Sequence, residues 1–324
     1  MAPKGNNSID TEATSKNAIQ QPENKPEAEV MQNVDVETLV ERCLKLSHYA
    51  IGKQTDTADV LPPLLQCQTA SFNEHQQIFV GIAGTPGSGK SFIAHQVCDE
   101  INRRNPNGDA DAPECVVVGM DGYHHTRKQL KEMAESGHKF KVDHLEDGKF
   151  KVKNVTMEYE ELMARRGAAF TYCPDSFIRD LGIIKKTGQG SFPEYSREKH
   201  DPVPDGVKVQ PSNKIILVEG LYLLCLNDPD WQPLRDLWDD TWLIDVSLPE
   251  TKRRLVKRHL KTWDDRKTEY WGGDDEAAAT RKAEANDLIN AKCIQENSRD
   301  FANLIIKNET IPEDDSNNAD CEAA

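Results

Sequence analysis

Apolar residues recur along this chain in two rhythms, and each predicts a different element. Val36, Leu39, Val40, Cys43 and Leu44 stand at helical spacing between polar residues, which predicts an amphipathic helix over about 36–49. Ile78-Phe79-Val80-Gly81-Ile82-Ala83 is instead an unbroken apolar run, the pattern of a strand covered on both faces. Helical spacing returns at Phe92, Ile93, Val97 and Ile101 in a helix over about 91–103, and Asn105-Pro106-Asn107-Gly108 stops it. Further buried strands are predicted at 115–120, 215–218, 242–246 and 302–307. Helical patterns separate most of these runs. The alternation predicts an α/β fold with a mainly parallel central sheet between two helical layers. No internal repeat is visible, and the proline-containing stretch 55–69 reads as a connector.

The first strand and the second helix enclose the strongest chemical signal. Gly84-Thr85-Pro86-Gly87-Ser88-Gly89-Lys90-Ser91 matches G-x-x-x-x-G-K-[ST], the phosphate-binding loop. Its glycines let the backbone bend round phosphates with N–H groups turned inward, and the helix that follows adds the positive end of its dipole. Lys90 would reach the β- and γ-phosphates and the Ser91 hydroxyl would sit on Mg2+, so ATP with Mg2+ is the expected cofactor. The loop alone does not separate a kinase from a GTPase or a motor. Two carboxylates sharpen the reading. Asp121 follows the run Val116–Met120 and Glu219 follows Ile215–Val218, at the strand ends where open α/β sheets bind ligands. One can accept the proton of an attacking hydroxyl and the other can hold Mg2+. The plainer alternative for each is an acid that caps a helix.

Composition removes other classes. The 324 residues carry a net charge of −15, which disfavours nucleic-acid backbones as partners. No apolar run of about 18 residues exists, so no membrane span is expected. Eight cysteines stand singly, with no Cys-x-x-Cys pair, which fits a reducing, cytoplasmic setting. The amino terminus lacks the apolar core of a secretory signal, and Asp10 and Glu12 argue against a transit peptide. The charge is uneven: residues 1–35 carry −3 and residues 309–324 carry −6, in stretches rich in Asn, Glu, Pro, Ser and Ala. Both ends are expected to be disordered, flanking a folded domain over 36–308. His124, His125, His138 and His144 match no zinc-ligand spacing.

On its motifs the chain resembles the P-loop small-molecule kinases of the phosphoribulokinase, uridine kinase and pantothenate kinase group, over about residues 75–308. The group's strand-end Asp corresponds to Asp121 in Met120-Asp-Gly-Tyr-His124. Tyr172-Cys-Pro-Asp-Ser-Phe-Ile178 is similar to the His-Pro-Asp-Ala-Phe-Asp stretch of uridine kinases, without its leading His and closing Asp. Pro193-Glu-Tyr195-Ser-Arg197 matches a Pro-x-Tyr segment that lines the acceptor site, and Arg253-Arg-Leu-Val-Lys-Arg-His259 resembles the lid helix. Arg165-Arg-Gly-Ala-Ala-Phe-Thr-Tyr172 and Asn286-Asp-Leu-Ile-Asn290 are shared with a branch of fructokinase-like bacterial and fungal members, with Ala169 where the branch has Pro.

The resemblance implies a P-loop NTPase fold of three α/β/α layers with a helical lid over about 250–284. It implies ATP-dependent transfer of a phosphoryl group to a hydroxyl of a small metabolite, whether sugar, nucleoside or pantothenate-like. Asp121 would be the base, Lys90 and the lid Arg258 catalytic charges, and Arg254 a further nucleotide contact. Ser91 and Glu219 would hold the metal. Tyr123, His124, Asp175, Tyr195 and Arg197 would meet the acceptor. The expected partner is that metabolite; nucleic acid and membrane are not expected, and a homodimer is left open. The rival reading is a P-loop ATPase that acts as a nucleotide switch or interaction protein without an acceptor.

Overall fold

The computed structural model describes residues 27–50, 75–105, 114–146 and 149–309. In chain order, β1 (Glu29–Met31) and α1 (Val36–Ala50) precede β2 (Ile78–Gly84), α2 (Lys90–Arg104) and β3 (Cys115–Gly119). Next come α3 (Arg127–Glu135), β4 (Lys139–Glu146), β5 (Lys149–Thr156), α4 (Tyr159–Ala164) and α5 (Pro174–Thr187). The chain continues through β6 (Gly190–Ser196), β7 (Asp201–Val209), β8 (Ile215–Gly220) and β9 (Asp240–Asp245). It then forms α6 (Leu248–Lys261), α7 (Asp265–Trp271), α8 (Glu276–Lys282), α9 (Leu288–Ser298) and β10 (Leu304–Lys307).

The five predicted apolar runs and the unpredicted β1 join one sheet in the order β1-β10-β9-β2-β8-β3, with every neighbouring pair parallel. β2 shows why such a strand is apolar throughout. Ile78, Val80 and Ile82 pack with Leu39 and Val40 of α1 and with Ile93 and Val97 of α2. Phe79 and Ala83 point the other way, into a core shared with Phe177, Leu181 and Ile184 of α5 and Ile294 of α9. Burial of each such side chain contributes about 1.5–3 kcal/mol, on both faces at once. The result is the expected three-layer α/β/α sandwich.

Boundaries differ from the apolar pattern where a buried charge finds partners. β9 starts at Asp240, before the apolar run. Arg42 Nε donates to Asp240 Oδ2 at 2.6 Å, and Trp242 Nε1 and Asn303 Nδ2 donate to the same carboxylate at 2.7 and 3.1 Å. The second run stops at Gly119, because Met120–Tyr123 turn as a 3-10 helix. The order also begins earlier than residue 36: β1 pairs with β10, and Arg42 donates to Glu29 Oε2 at 2.9 Å. That corrects the expectation of disorder through residue 35. The expectations for 1–26, for the connector 55–69 and for 310–324 lie outside the described residues.

Two antiparallel hairpins, β4–β5 and β6–β7, stand apart from the main sheet and were not visible in the apolar pattern. The second carries Pro193, Pro202 and Pro204 and a register shift between Phe192 and Glu194, which conceal it as a strand pair. The region expected to form a lid is a run of helices, α6 to α8, joined to α9 through a π-helical turn, Ala283–Asp287. Residues 263–276 include α7, which Asp264 caps by accepting from Lys267 N and which Gly272 ends at φ 70°. Among the described residues no helix is long and apolar enough to cross a membrane.

Candidate active site

β2 ends at Gly84 and α2 starts at Lys90, so the intervening loop lies at the carboxyl edge of the sheet beside β8 and β9. Its shape depends on glycine. Gly87 and Gly89 take φ of 75° and 87°, and a Cβ on Gly84 would come within 2.5 Å of Ser88 Oγ. The outside of the loop is clamped. Arg254 on α6 donates to Gly87 O at 3.3 Å and to Asn308 O at 2.8 Å, and Asn308 Nδ2 donates to Ser88 O at 2.8 Å. Two loop carbonyls are thus taken up by the protein. Inside the loop, the buried Ser88 hydroxyl has no hydrogen-bond partner among the described residues. An orphaned buried donor next to a helix N-terminus and a buried ammonium fits a phosphate group.

Lys90 is that ammonium. Its side chain is buried, and Nζ stands 4.0 Å from Glu219 Oε2 at the end of β8. Burial pushes the Glu219 carboxyl up to about 7; Asp121 adds to the rise, while Lys90 and a hydrogen bond from Ser91 oppose it. A carboxylate held so close to its titration point gains from a divalent cation. Ser91 and Glu219 are adjacent and suit Mg2+, which takes few protein ligands and completes its shell with water and phosphate oxygens. Among the described residues no group of three or more His, Cys, Asp or Glu could hold a metal by itself.

Asp121 lies in the turn that follows β3, the strand next to β8. Two groups hold it. The Tyr172 hydroxyl donates to Oδ1 at 2.9 Å, and His124 Nδ1 lies 2.8 Å from the Asp121 carbonyl oxygen. Burial lowers the His124 imidazole below its usual value, against the pull of Asp121, so the ring is neutral at pH 7 and Nδ1–H is the donor. The β6–β7 hairpin presses on the same turn: a Cβ on Gly122 would fall 2.0 Å from Pro193 O. Glycine after Asp121 is therefore a requirement of packing. Through this contact Tyr195 reaches His124, with ring centroids 5.3 Å apart. The Arg166 guanidinium lies over the Tyr195 ring at 5.5 Å and donates to Asp201 Oδ1 at 2.7 Å and to His125 O at 3.0 Å.

The fold thus gathers the loop residues, Lys90, Ser91, Glu219, Asp121, His124, Tyr195 and Arg254 at one edge of the sheet. Other expected site residues stand elsewhere. Tyr123 points into the core, its ring edge-on to Phe177 and Phe192 and its hydroxyl donating to Asp180 at 2.9 Å, because the 3-10 turn rotates it away from Asp121. Asp175 sits exposed on the first turn of α5, and Arg197 is exposed at the tip of the β6–β7 hairpin. Arg258 lies one turn beyond Arg254, beside the buried group in which His259 Nε2 and Asp287 Oδ2 are 2.7 Å apart. Arg254 itself touches the loop's outer carbonyl, so its place is that of a brace.

Sequence reasoning assigned no role to Tyr172, Arg166, Asn286 or Asn308. The first three belong to the branch motifs, which was the available signal. Asn286 ties two of those motifs together: its Oδ1 accepts from Arg165 Nε at 3.1 Å and its Nδ2 donates to Arg166 O at 3.1 Å. Nothing in the chain's pattern singled out Asn308.

Known proteins place this geometry. No family model matches the chain. The protein notR' of Aspergillus versicolor, named an ATP-dependent kinase-like protein, is 30% identical over 185 residues, covering 55% of this chain and 88% of that one. A Schizosaccharomyces pombe protein, named provisionally as a uridine kinase, is 28% identical over 228 residues, covering 69% of this chain and 81% of its own. The crystal structure of YFH7 from Saccharomyces cerevisiae shares the fold at a TM-score of 0.61 and 18% identity, covering 86% of this chain and 100% of that one. The chain belongs to the ATP-dependent P-loop small-molecule kinases of the phosphoribulokinase, uridine kinase and pantothenate kinase family.

Proposed function

We propose that this kinase moves the γ-phosphoryl group of ATP to an alcohol of a small metabolite, with Asp121 as the base. The observation that carries the reading is the placement of Asp121. It is held by Tyr172 at the edge of the sheet where Lys90 and Glu219 meet, beside a hairpin that brings Tyr195 to the same turn. A nucleotide switch has no use for a carboxylate and hairpin so arranged.

Bound ATP and Mg2+ supply the phosphoryl group and a compact positive charge. The chain's own residues do the rest. Gly84 to Gly89 wrap the phosphates, Ser88 Oγ and Lys90 Nζ neutralise them, and Ser91 with Glu219 hold the cation. Asp121 accepts the acceptor's hydroxyl proton on a carboxylate oxygen as the new oxygen–phosphorus bond forms and the bond to ADP breaks. His124 and Tyr195 orient the acceptor, and the catalytic gain is positioning plus electrostatics. The lid Arg258 joins the phosphates on closure of α6, and Asp175 and Arg197 reach the acceptor only if their segments also close.

The acceptor is a hydroxyl-bearing metabolite such as a nucleoside, sugar or pantothenate-like compound. The test is ADP release from the purified protein with ATP and Mg2+, measured against a panel of uridine, fructose, ribulose 5-phosphate and pantothenate. Release that rises with one acceptor and disappears in Asp121→Asn supports the proposal. Release that no acceptor raises would favour the switch.

A further inference from the structure

We infer that Tyr172 is the positioning residue of the acceptor site, orienting the Asp121 carboxylate so that one oxygen faces the incoming hydroxyl. The inference rests on the kinase reading above and goes beyond it by assigning a residue in this chain to hold the base.

An aspartate carboxylate turns freely about its last torsion unless a donor fixes its plane. Here the Tyr172 hydroxyl donates to Oδ1 at 2.9 Å. Oδ2 has no hydrogen bond among the described residues and is left for the acceptor. The donor is itself rigid. Tyr172 is 3% exposed. Its ring stacks on His124 with centroids 3.9 Å apart and meets Tyr222 and Trp231 edge-on at 5.8 and 6.4 Å. The backbone is pinned as well, by a bridge between His124 and Tyr172. Tyr123 makes the contrast: it lies two residues after Asp121, yet spends its hydroxyl on Asp180.

Burial and the neighbouring Asp121 charge hold the Tyr172 hydroxyl well above its ordinary titration range, so it stays a donor wherever the enzyme works. Charged and titratable groups around the pair include Glu219 on β8 with Lys90 on α2, His124 in the same turn, Tyr195 on β6, Tyr222 after β8, Arg166, and Asp201 on β7. Removing the Tyr172 hydroxyl alone leaves all of these in place.

The test uses the full chain labelled with 13C at aspartate side-chain carboxyls and observed by NMR. The Asp121 line is identified by its loss in Asp121→Asn. In Tyr172→Phe that line should shift, because Oδ1 loses its donor. With the acceptor found in the panel, kcat should fall roughly tenfold while KM for ATP stays within about twofold. In the wild type, exchange of H2O for D2O should shift the same line through the Tyr172 deuteron, a reading that does not depend on Tyr172→Phe folding. An unmoved line in a folded Tyr172→Phe protein, or no isotope shift in the wild type, overturns the inference. Full transfer by Asp121→Asn would overturn the base reading while the NMR result stood by itself.

Discussion

The nucleotide half and the acceptor half of the proposed site are assembled on different plans. The first is one contiguous segment, Gly84 to Ser91, between a strand and a helix, with Glu219 supplied by the adjacent strand. Its chemistry is largely backbone chemistry, and its side chains need only sit at fixed offsets. The second is gathered from the turn after β3, the segment around Arg165 to Tyr172, the β6–β7 hairpin and the π-turn at 283–287. It holds together through single side-chain contacts: Tyr172 on Asp121, Pro193 on Gly122, Asn286 on Arg165 and Arg166. A scaffold whose nucleotide half is set by backbone shape can change acceptor by altering side chains on the other half alone.

The largest predicted effects set the halves apart by function. Asp121→Asn should lower kcat by roughly 1,000-fold and leave ATP affinity within about twofold, measured by steady-state kinetics and calorimetry. Lys90→Ala should cost a similar factor in kcat and weaken ATP binding as well. If Asp121→Asn weakened ATP binding as strongly as Lys90→Ala, the two halves would not be separable.

Gly122→Ala probes the packing between the turn and the hairpin. With the added Cβ 2.0 Å from Pro193 O, one of the two must move. Stability should drop by about 1–3 kcal/mol in urea unfolding, with acceptor turnover lost and ATP binding retained. Retention of acceptor turnover would show that the hairpin is not part of the site.

A pH experiment follows from Glu219, whose carboxyl is raised from its ordinary range to about 7 by burial. A raised acid binds its proton more tightly folded than unfolded. The folded state therefore loses stability as pH climbs from the unfolded value through 7, where a buried charge must form. Without nucleotide, Glu219→Gln should gain a few degrees in Tm over the wild type at pH 8 and little at pH 5. A difference independent of pH would mean that the carboxyl is not strained. The smallest effect is expected for Asn286→Ala, which removes one acceptor and one donor between two motifs and should cost about 1 kcal/mol by thermal unfolding.

Much of this fold was legible in advance because its signals are local. β2, β3, β8, β9 and β10 are covered on both faces, so each shows as an apolar run whatever surrounds it. The phosphate loop is likewise local, and Asp121 and Glu219 were found because strand ends are local features. The misses share one property. β1 has only three residues, and its docking depends on Arg42, which bridges Glu29 and Asp240. The hairpins lie outside the main sheet, and the second is interrupted by proline. Tyr123 was expected at the acceptor on the resemblance, but the 3-10 turn carries its side chain into the core, where its hydroxyl meets Asp180.

By itself the sequence determined the layered α/β plan, the nucleotide loop and the two strand-end carboxylates, because periodicity and glycine placement act over a few residues. Only the tertiary structure decided that Arg254 braces the loop from outside, that Asn308 completes this clamp, and that Tyr172 takes hold of Asp121. Those partners lie far apart along the chain, and no local pattern encodes a contact that exists only once the layers have packed.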